Sequence, residues 1–357
     1  MTQVLLTGAA GFIGRHLTQY LLDHTDWNIV ALDRLGEGSK LDGLSRDPRV
    51  TFTWHDLRAP LRNAGAPFKY ILHLAAGSHV DRSIKDPLGF IADNCVGTAH
   101  LLEFARRCEG LEKFLCFSTD EVHGPALNGG SFDEYDSFYA TNPYAASKAA
   151  AEALCPAWAN TFGLPIVVTR CTNVCGPGQD GEKFIPTVVR QVGSGETVQI
   201  HSRNGQASSR KYIDVEDVCA ATLAILQRGG VISGRGSGYY GIGSQTEYSN
   251  LDVAVRIAEL MGLPIRWELV ENPPNRPRPD MRYSLKTDRL RDLGWEQRVS
   301  LDVTLKRILG LNQPKGLISL DGARSLLEAP LRPGESPAAR AQLVADLYSP
   351  PEEEPCD

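Results

Sequence analysis

Tyr144 and Lys148 stand four residues apart in Pro143-Tyr144-Ala145-Ala146-Ser147-Lys148. On a helix this spacing puts a phenol and an ammonium on one face. The ammonium is expected to stabilise the phenolate and lower the tyrosine pKa. Tyr144 is then a candidate base for a substrate hydroxyl whose carbon gives up hydride. Upstream, Ser118-Thr119-Asp120-Glu121-Val122-His123-Gly124 follows the apolar run Lys113–Phe117, and Thr119 is a candidate to orient the same oxygen. Oxidising an alcohol uses the tyrosine, the lysine and a hydroxyl, and has no need of two further acids. Asp120 and Glu121 therefore point to proton transfer and loss of water alongside hydride transfer. In a regular strand adjacent side chains face opposite ways. Past a strand end both acids can reach one cavity, and acid–base work between them requires environments that push their pKa values apart.

A second cluster supplies the hydride carrier. Thr7-Gly8-Ala9-Ala10-Gly11-Phe12-Ile13-Gly14 follows an apolar run and opens a helical pattern. Gly8 allows a tight turn, Gly11 lets the backbone approach a pyrophosphate, and Gly14 lets the helix pack close to the sheet, with Phe12 and Ile13 in its first turn. The anion is expected on the free N–H groups of the helix end. Asp33 ends the next apolar run, where an acid hydrogen-bonds a ribose 2′-hydroxyl and repels a 2′-phosphate. NAD is therefore expected rather than NADP, with Arg34 beside it pulling the other way. Asp56 and Leu57 follow the third run, where adenine contacts fall. Leu74, Ala75 and Ala76 follow the fourth and suit close passage beside the cofactor, while Lys148 can also bind the nicotinamide ribose.

The elements that must position these groups alternate. Gln3–Thr7, Asn28–Leu32, Val50–Thr53, Tyr70–Leu74, Lys113–Phe117 and Pro165–Thr169 read as short strands. Phe12–Leu22, Leu88–Cys108 and Tyr144–Phe162 read as helices between them. The pattern predicts an α/β protein with a Rossmann-type, doubly wound parallel sheet. After Gly176 the pattern changes. Val198–His201, Tyr239–Ile242 and Ile265–Leu269 read as strands, and Val215–Gln227 and Asn250–Met261 as helices, of a smaller C-terminal α/β substrate lobe. The expected organisation is a dinucleotide-binding domain at 1–175 carrying the catalytic residues and a lobe at 176–311, some of whose segments return to the first. A C-terminal extension follows at 312–357, with helical signals at Ile318–Glu328 and Ala338–Tyr348. The Pro/Arg cluster Asn272–Pro279 reads as a loop.

Bulk properties narrow the class. The chain has 357 residues, 42% of them hydrophobic and 22% charged, with a net charge of -6, which fits a globular protein and disfavours a nucleic-acid binder. Its eight cysteines include no CxxC pair, so no metal site is expected, and their scatter fits reduced thiols in a cytoplasm. No apolar run approaches the ~18 residues of a membrane span.

The motifs together resemble the extended short-chain dehydrogenase/reductase family, and within it the nucleotide-sugar 4,6-dehydratases. The resemblance runs from about Gln3 to Leu309. It rests on Thr7–Gly14, Leu74–Ile84 (LAAGSHVDRSI), Ser118–Gly124, Pro143–Lys148, Glu182–Pro186 (EKFIP), Arg210–Val218 (RKYIDVEDV) and Arg276–Tyr283 (RPRPDMRY). It implies NAD as cofactor and a homodimer formed by the helices near Leu88–Cys108 and Tyr144–Phe162. It also implies conversion of a nucleotide-diphosphate hexose, such as dTDP-glucose, to its 4-keto-6-deoxy product. In that reaction Tyr144 deprotonates the 4-hydroxyl, Glu121 moves the C5 proton and Asp120 protonates the departing 6-hydroxyl. His79, Asn173, Lys183, Phe184, His201, Arg210 and Arg276 are implied to face the substrate. A 4-epimerase or uronic-acid decarboxylase of the same family, or a NAD-binding sensor without catalysis, stands as an alternative. The chain departs from the pattern at Gly77, at His201–Asn204, at His123 and Cys175, and at Pro279, which bears on the sugar and base more than on the chemistry.

Overall fold

The protein is described here by a computed structural model covering residues 2–311 apart from 42–43, 63–66, 128, 234–236, 272 and 274–278. Arg276, most of the Pro/Arg cluster and the two helical signals beyond residue 312 lie outside the described residues. The chain divides into two compact units, residues 1–304 and 305–357; all that follows concerns the first.

In chain order the strands are β1 (Gln3–Thr7), β2 (Asn28–Asp33), β3 (Val50–Trp54), β4 (Tyr70–His73), β5 (Lys113–Thr119), β6 (Ile166–Cys171), β7 (Asn173–Cys175), β8 (Thr197–Arg203), β9 (Gln206–Ala207), β10 (Ser209–Arg210), β11 (Tyr212–Asp214), β12 (Tyr239–Ile242), β13 (Tyr248–Ser249) and β14 (Arg266–Val270). The principal helices are α1 (Phe12–His24), α2 (Val80–Lys85), α3 (Pro87–Ile91), α4 (Gly97–Ala105), α5 (Pro143–Phe162), α6 (Phe184–Ser194), α7 (Val215–Arg228) and α8 (Asn250–Met261).

Seven strands form one sheet in the order β12-β6-β5-β4-β1-β2-β3, and every pairing in it is parallel. Such a sheet is covered on both faces, and strand alternation shows how. Val4 and Leu6 of β1 enter one core with Leu17 and Leu21 of α1 and Val218 and Ile225 of α7. Leu5 between them enters the opposite core with Leu101 and Leu102 of α4 and Cys155 of α5. β5 repeats the division, Leu115 and Phe117 against Phe114 and Cys116. The chain winds outward through β2 and β3, then returns across β1 to β4. The reversal between β1 and β4 opens a crevice at the carboxyl ends of the strands, the usual ligand position in this architecture.

One part of the sequence reading changes. Leu88–Cys108 is one helical pattern in the sequence, yet the structure divides it into α3, a π turn at Ala92–Val96 and α4. The wider turn takes an extra residue into the ladder, and a periodicity count is blind to that. Beyond residue 176, β12 and α7 belong to the large sheet and its covering layer. The smaller sheets among the described residues are β14-β8-β9, β10-β13 and β11-β7.

Candidate active site

A cavity of about 710 Å³ runs along the carboxyl ends of the sheet strands. Gly8, Gly11, Phe12, Ile13 and Gly14 line one end, with Asp33, Asp56 and Leu57 beside them, and Leu74, Ala75 and Ala76 in the middle. Thr119, Asp120, Glu121, Tyr144 and Lys148 line the other end, together with His79, Asn173, Lys183 and Phe184.

The glycine loop is as close-packed as its sequence implies. Gly8 has a φ of 71°, and a Cβ there would lie 2.6 Å from Ala75 N. A Cβ at Gly14 would lie 2.1 Å from Gly8 O. Substitution at either position would push the loop or the helix off the sheet. Asp33 anchors the loop from the side: Oδ2 accepts from Ala10 N at 3.0 Å, and Oδ1 from Leu35 N at 2.7 Å.

At the chemical end β5 runs two residues further than the apolar pattern predicts, and Thr119 pairs with Cys171 of β6. Asp120–His123 then form a single 3-10 turn, so strand alternation no longer separates the two acids and both reach the cavity. Their surroundings differ. Asp120 is 4% exposed, and its Oδ2 has no hydrogen-bond partner among the described residues. Its Oδ1 accepts from Thr119 Oγ1 at 3.2 Å. Burial first, and the Glu121 charge second, push the Asp120 carboxyl up to about 7, against the pull of Arg210. Glu121 Oε2 accepts from Asn142 Nδ2 at 3.1 Å and from the Tyr283 hydroxyl at 3.2 Å. That hydroxyl has one proton to share, because Asp280 Oδ2 lies 2.6 Å from it.

Tyr144 and Lys148 both belong to α5. Asn142 caps that helix by accepting from Ala145 N at 2.8 Å, while its amide nitrogen holds Glu121. The expected lowering of the Tyr144 pKa is not found. Burial first, then Glu121, raise it well above the usual phenol range. Lys148 Nζ donates to Phe117 O at 2.5 Å, which engages one of its three N–H groups at the end of β5.

The buried amide of Asn94, in the π turn, sets the spacing between loop and helix. Asn94 Oδ1 accepts from Gly77 N at 2.7 Å, and Nδ2 donates to Gly77 O at 3.0 Å and to Ser147 Oγ at 2.8 Å. Ser147 Oγ donates in turn to Tyr144 O at 2.8 Å.

Not every residue of the sequence reading meets the cavity. Asn173, Lys183 and Phe184 do; Lys183 Nζ donates to Ser78 O at 2.7 Å. His79 does too, with Nε2 3.3 Å from Glu182 Oε2. His201 and Arg210 are not among the cavity's lining residues. His201 lies on β8 and pairs with Val270 of β14, in the sheet of the lobe. Arg210 stands behind the acids. Its guanidinium lies 4.7 Å from the centre of the Tyr283 ring and donates to Met281 O and Asp280 O at 3.0 and 2.9 Å. Residues that spacing could not reveal include Asn94, Asn142 and Tyr283, which act through partners 17 to 162 positions away in sequence. Ser118 and Thr172 also line the cavity, each with a buried hydroxyl unpartnered among the described residues. Ser118 stands inside a motif read from the sequence, yet only its neighbours were assigned roles.

Comparison with known proteins gives a consistent result. Residues 4–235 match the NAD dependent epimerase/dehydratase family. The low-salt glycan biosynthesis protein Agl12 of Haloferax volcanii is 37% identical over 84% of this chain and 94% of its own length. A dTDP-glucose 4,6-dehydratase of Streptomyces niveus is 36% identical over 84% of this chain and 89% of its own. Among solved structures, the dTDP-glucose 4,6-dehydratase DesIV of Streptomyces venezuelae, crystallised with NAD, has a TM-score of 0.76 and 31% identity, covering 87% of this chain and 96% of that one. With the parallel sheet, the glycine loop and the tyrosine–lysine helix in place, the chain belongs to the NAD-dependent epimerase/dehydratase family.

Proposed function

We propose that the protein is a NAD-dependent nucleotide-sugar 4,6-dehydratase, converting a nucleotide-diphosphate hexose, dTDP-glucose or a related sugar, to the 4-keto-6-deoxy sugar nucleotide. The observation that carries the reading is the asymmetry of adjacent acids. Asp120 is buried, with an oxygen unpartnered among the described residues and a carboxyl pushed up to about 7, while Glu121 accepts from Asn142 and shares the Tyr283 hydroxyl proton with Asp280. One is suited to give a proton and the other to take one.

The glycine loop fits a dinucleotide. Gly8 and Gly14 leave room where a Cβ would collide with backbone, Gly11 precedes the first turn of a 13-residue helix, and Asp33 stands at the ribose position. Gly8, Gly11, Phe12, Ile13 and Gly14 would hold the pyrophosphate, Asp33, Asp56 and Leu57 the adenosine, and Leu74, Ala75, Ala76, Tyr144 and Lys148 the nicotinamide half. NAD, when bound, supplies a hydride acceptor for C4, a donor for C6 and a positive charge beside the phenol.

Tyr144 takes the proton of the sugar 4-hydroxyl, with Thr119 on the same oxygen. Burial and Glu121 hold the phenol protonated, so this step depends on added positive charge, of which Lys148 is the chain's own source one helical turn away. The C5 hydrogen beside a 4-ketone is acidic, and Glu121 removes it while Asp120 delivers a proton to the departing 6-hydroxyl. Glu121 then returns its proton to C5. His79, Asn173, Lys183 and Phe184 are the groups available to the sugar and its diphosphate. Arg210 serves by limiting the rise of the Asp120 pKa and backing Tyr283.

Further readings belong with this one. The segment to residue 175 carries the chemistry, and residues 176–311 mainly select the substrate. The protein pairs as a homodimer through the α3–α4 and α5 faces. Leu88, Ile91 and Val96 are 75%, 46% and 40% exposed there, and Ala146, Ala150, Ala153 and Ala157 are exposed at helical spacing on α5. Light scattering of a monomer would overturn the pairing. No helix among the described residues is long and apolar enough to cross a membrane, which is in keeping with a cytoplasmic enzyme.

The deciding experiment incubates the protein and NAD with a panel of nucleotide hexoses and follows product mass. Loss of one water with appearance of a ketone is expected. An unchanged mass would indicate epimerisation, loss of carbon dioxide decarboxylation, and either would overturn the proposal.

A further inference from the structure

We infer that Asp93, together with Asp56, holds the Arg34 guanidinium away from the 2′ position of the adenosine ribose and so helps the protein choose NAD over NADP. The inference rests on the dinucleotide reading above. An arginine beside the ribose acid is the residue type that accommodates a 2′-phosphate in dinucleotide folds, through its planar fork of donors. Arg34 has that position, next to Asp33 at the carboxyl end of β2, and it lines the cavity.

Its fork is taken. Arg34 Nη1 donates to Asp93 Oδ1 at 2.5 Å and Nη2 to Asp93 Oδ2 at 2.6 Å, the paired geometry that makes such contacts strong. Asp56 Oδ2 lies 3.6 Å from Nη1. Arg58 closes the cluster, with Nη2 2.5 Å from Asp56 Oδ2 and Nε 3.7 Å from Asp93 Oδ1. Two arginines and two aspartates thus balance to no net charge at the adenosine end, and all four line the cavity. The side chains of Asp93 and Asp56 are 14% and 20% exposed, so water screens the pairing only in part. The backbone is fixed as well. Trp54 Nε1 donates to Arg34 O at 3.0 Å, and Leu35 takes a left-handed conformation, with a φ of 58°, in which its N–H reaches Asp33.

A 2′-phosphate seeking Arg34 would have to displace a bidentate carboxylate, and it would meet the Asp33 and Asp93 charges as it did so. Asp33 repels the phosphate directly; Asp93 withdraws the cation that would otherwise receive it. Arg34, read from sequence alone as favouring the phosphate, is thereby disarmed by a residue 59 positions away.

The test measures dissociation constants of NAD and NADP by calorimetry for the full-length protein and for Asp93→Asn, Arg34→Ala and the double variant. Asp93→Asn is expected to tighten NADP about tenfold, the scale of one recovered hydrogen bond to a charged group, with NAD changed far less. The gain is expected to vanish in the double variant. Arg34→Ala alone is expected to give no gain in NADP affinity, because the guanidinium is engaged elsewhere and its removal bares the Asp93 and Asp56 charges. If Asp93→Asn binds NAD normally and gains no NADP affinity, the inference is overturned while the cofactor reading stands. A NADP gain in the double variant as large as in Asp93→Asn also overturns it, and Asp93→Ser repeats the comparison if Asp93→Asn does not fold. Failure of the unaltered protein to bind NAD would instead remove the cofactor reading itself.

Discussion

The two ends of the cavity follow opposite rules. At the adenosine end Arg34, Arg58, Asp56 and Asp93 satisfy one another, and Asp33 accepts from backbone on both oxygens. At the chemical end Ser118 Oγ, Asp120 Oδ2 and Thr172 Oγ1 are buried with no partner among the described residues. Buried polar groups left unpaired cost roughly 1–3 kcal/mol each. That cost is tolerable where a substrate hydroxyl can meet the group, and pairing is preferable where the task is to hold a ligand in one pose. Recognition is built from satisfied charges, and reactivity from groups kept short of partners.

The comparison can be broken most directly at Tyr144. Tyr144→Phe removes the hydroxyl that receives the substrate proton and is expected to lower turnover by about a thousandfold. Near-normal turnover would remove the tyrosine from the chemistry. Asp120→Asn comes next. It is expected to leave C4 oxidation in place, seen as transient NADH absorbance, while slowing water loss about a hundredfold. Unchanged dehydration would contradict the proton-donor role.

The same acid sets a pH dependence. Asp120 donates only when protonated, so its share of the rate is present below about pH 7 and lost as pH rises through that value. The fold is affected in the same direction. The folded pKa lies above the ordinary aspartate value of 3.8, so the folded state binds the extra proton, and the stability it brings is lost between about pH 4 and 7. Asp120→Asn is therefore expected to gain stability relative to the unaltered protein across that interval and to hold the gain at higher pH. A pH-independent difference in melting temperature would show that the carboxyl titrates normally.

Smaller effects test the supports. Tyr283→Phe deletes a hydrogen bond to Glu121 and one of the hydrogen bonds to Asp280, which keeps that from Thr141 Oγ1; about a tenfold loss in kcat is expected, with KM little changed. Loss confined to KM would make Tyr283 a binding residue. Asn142→Ala removes the α5 cap and one of the Glu121 donors, and is expected to cost about 1 kcal/mol in urea unfolding.

Much of this was legible in the residue order because the information is local. The glycine loop, the strand runs and the four-residue tyrosine–lysine spacing are each contained within one element, and their periods translate directly into faces and turns. The adjacent acids were legible for the same reason: a 3-10 turn just past a strand end undoes alternation. What escaped is non-local. Asn94 is buried within a π turn that periodicity does not reveal, and Tyr283 reaches Glu121 from 162 positions away. The expected lowering of the Tyr144 pKa was not met because spacing fixes a helix face but reveals neither the burial of the phenol nor the nearby Glu121 charge, which together raise it. Arg34 was visible from its neighbour in sequence, but the carboxylate that occupies it was not.

Asn94 has a consequence reaching past its own contacts. It is a strut with one foot on the loop beside the glycine turn and the other on the helix that carries Tyr144 and Lys148. Deleting one residue from Ala92–Val96 would restore a regular ladder and swing the amide by roughly 100°, detaching both feet without altering any side chain that meets the sugar. The length of this segment, and not only the side chains it carries, thus decides whether Asn94 can tie the loop to the helix.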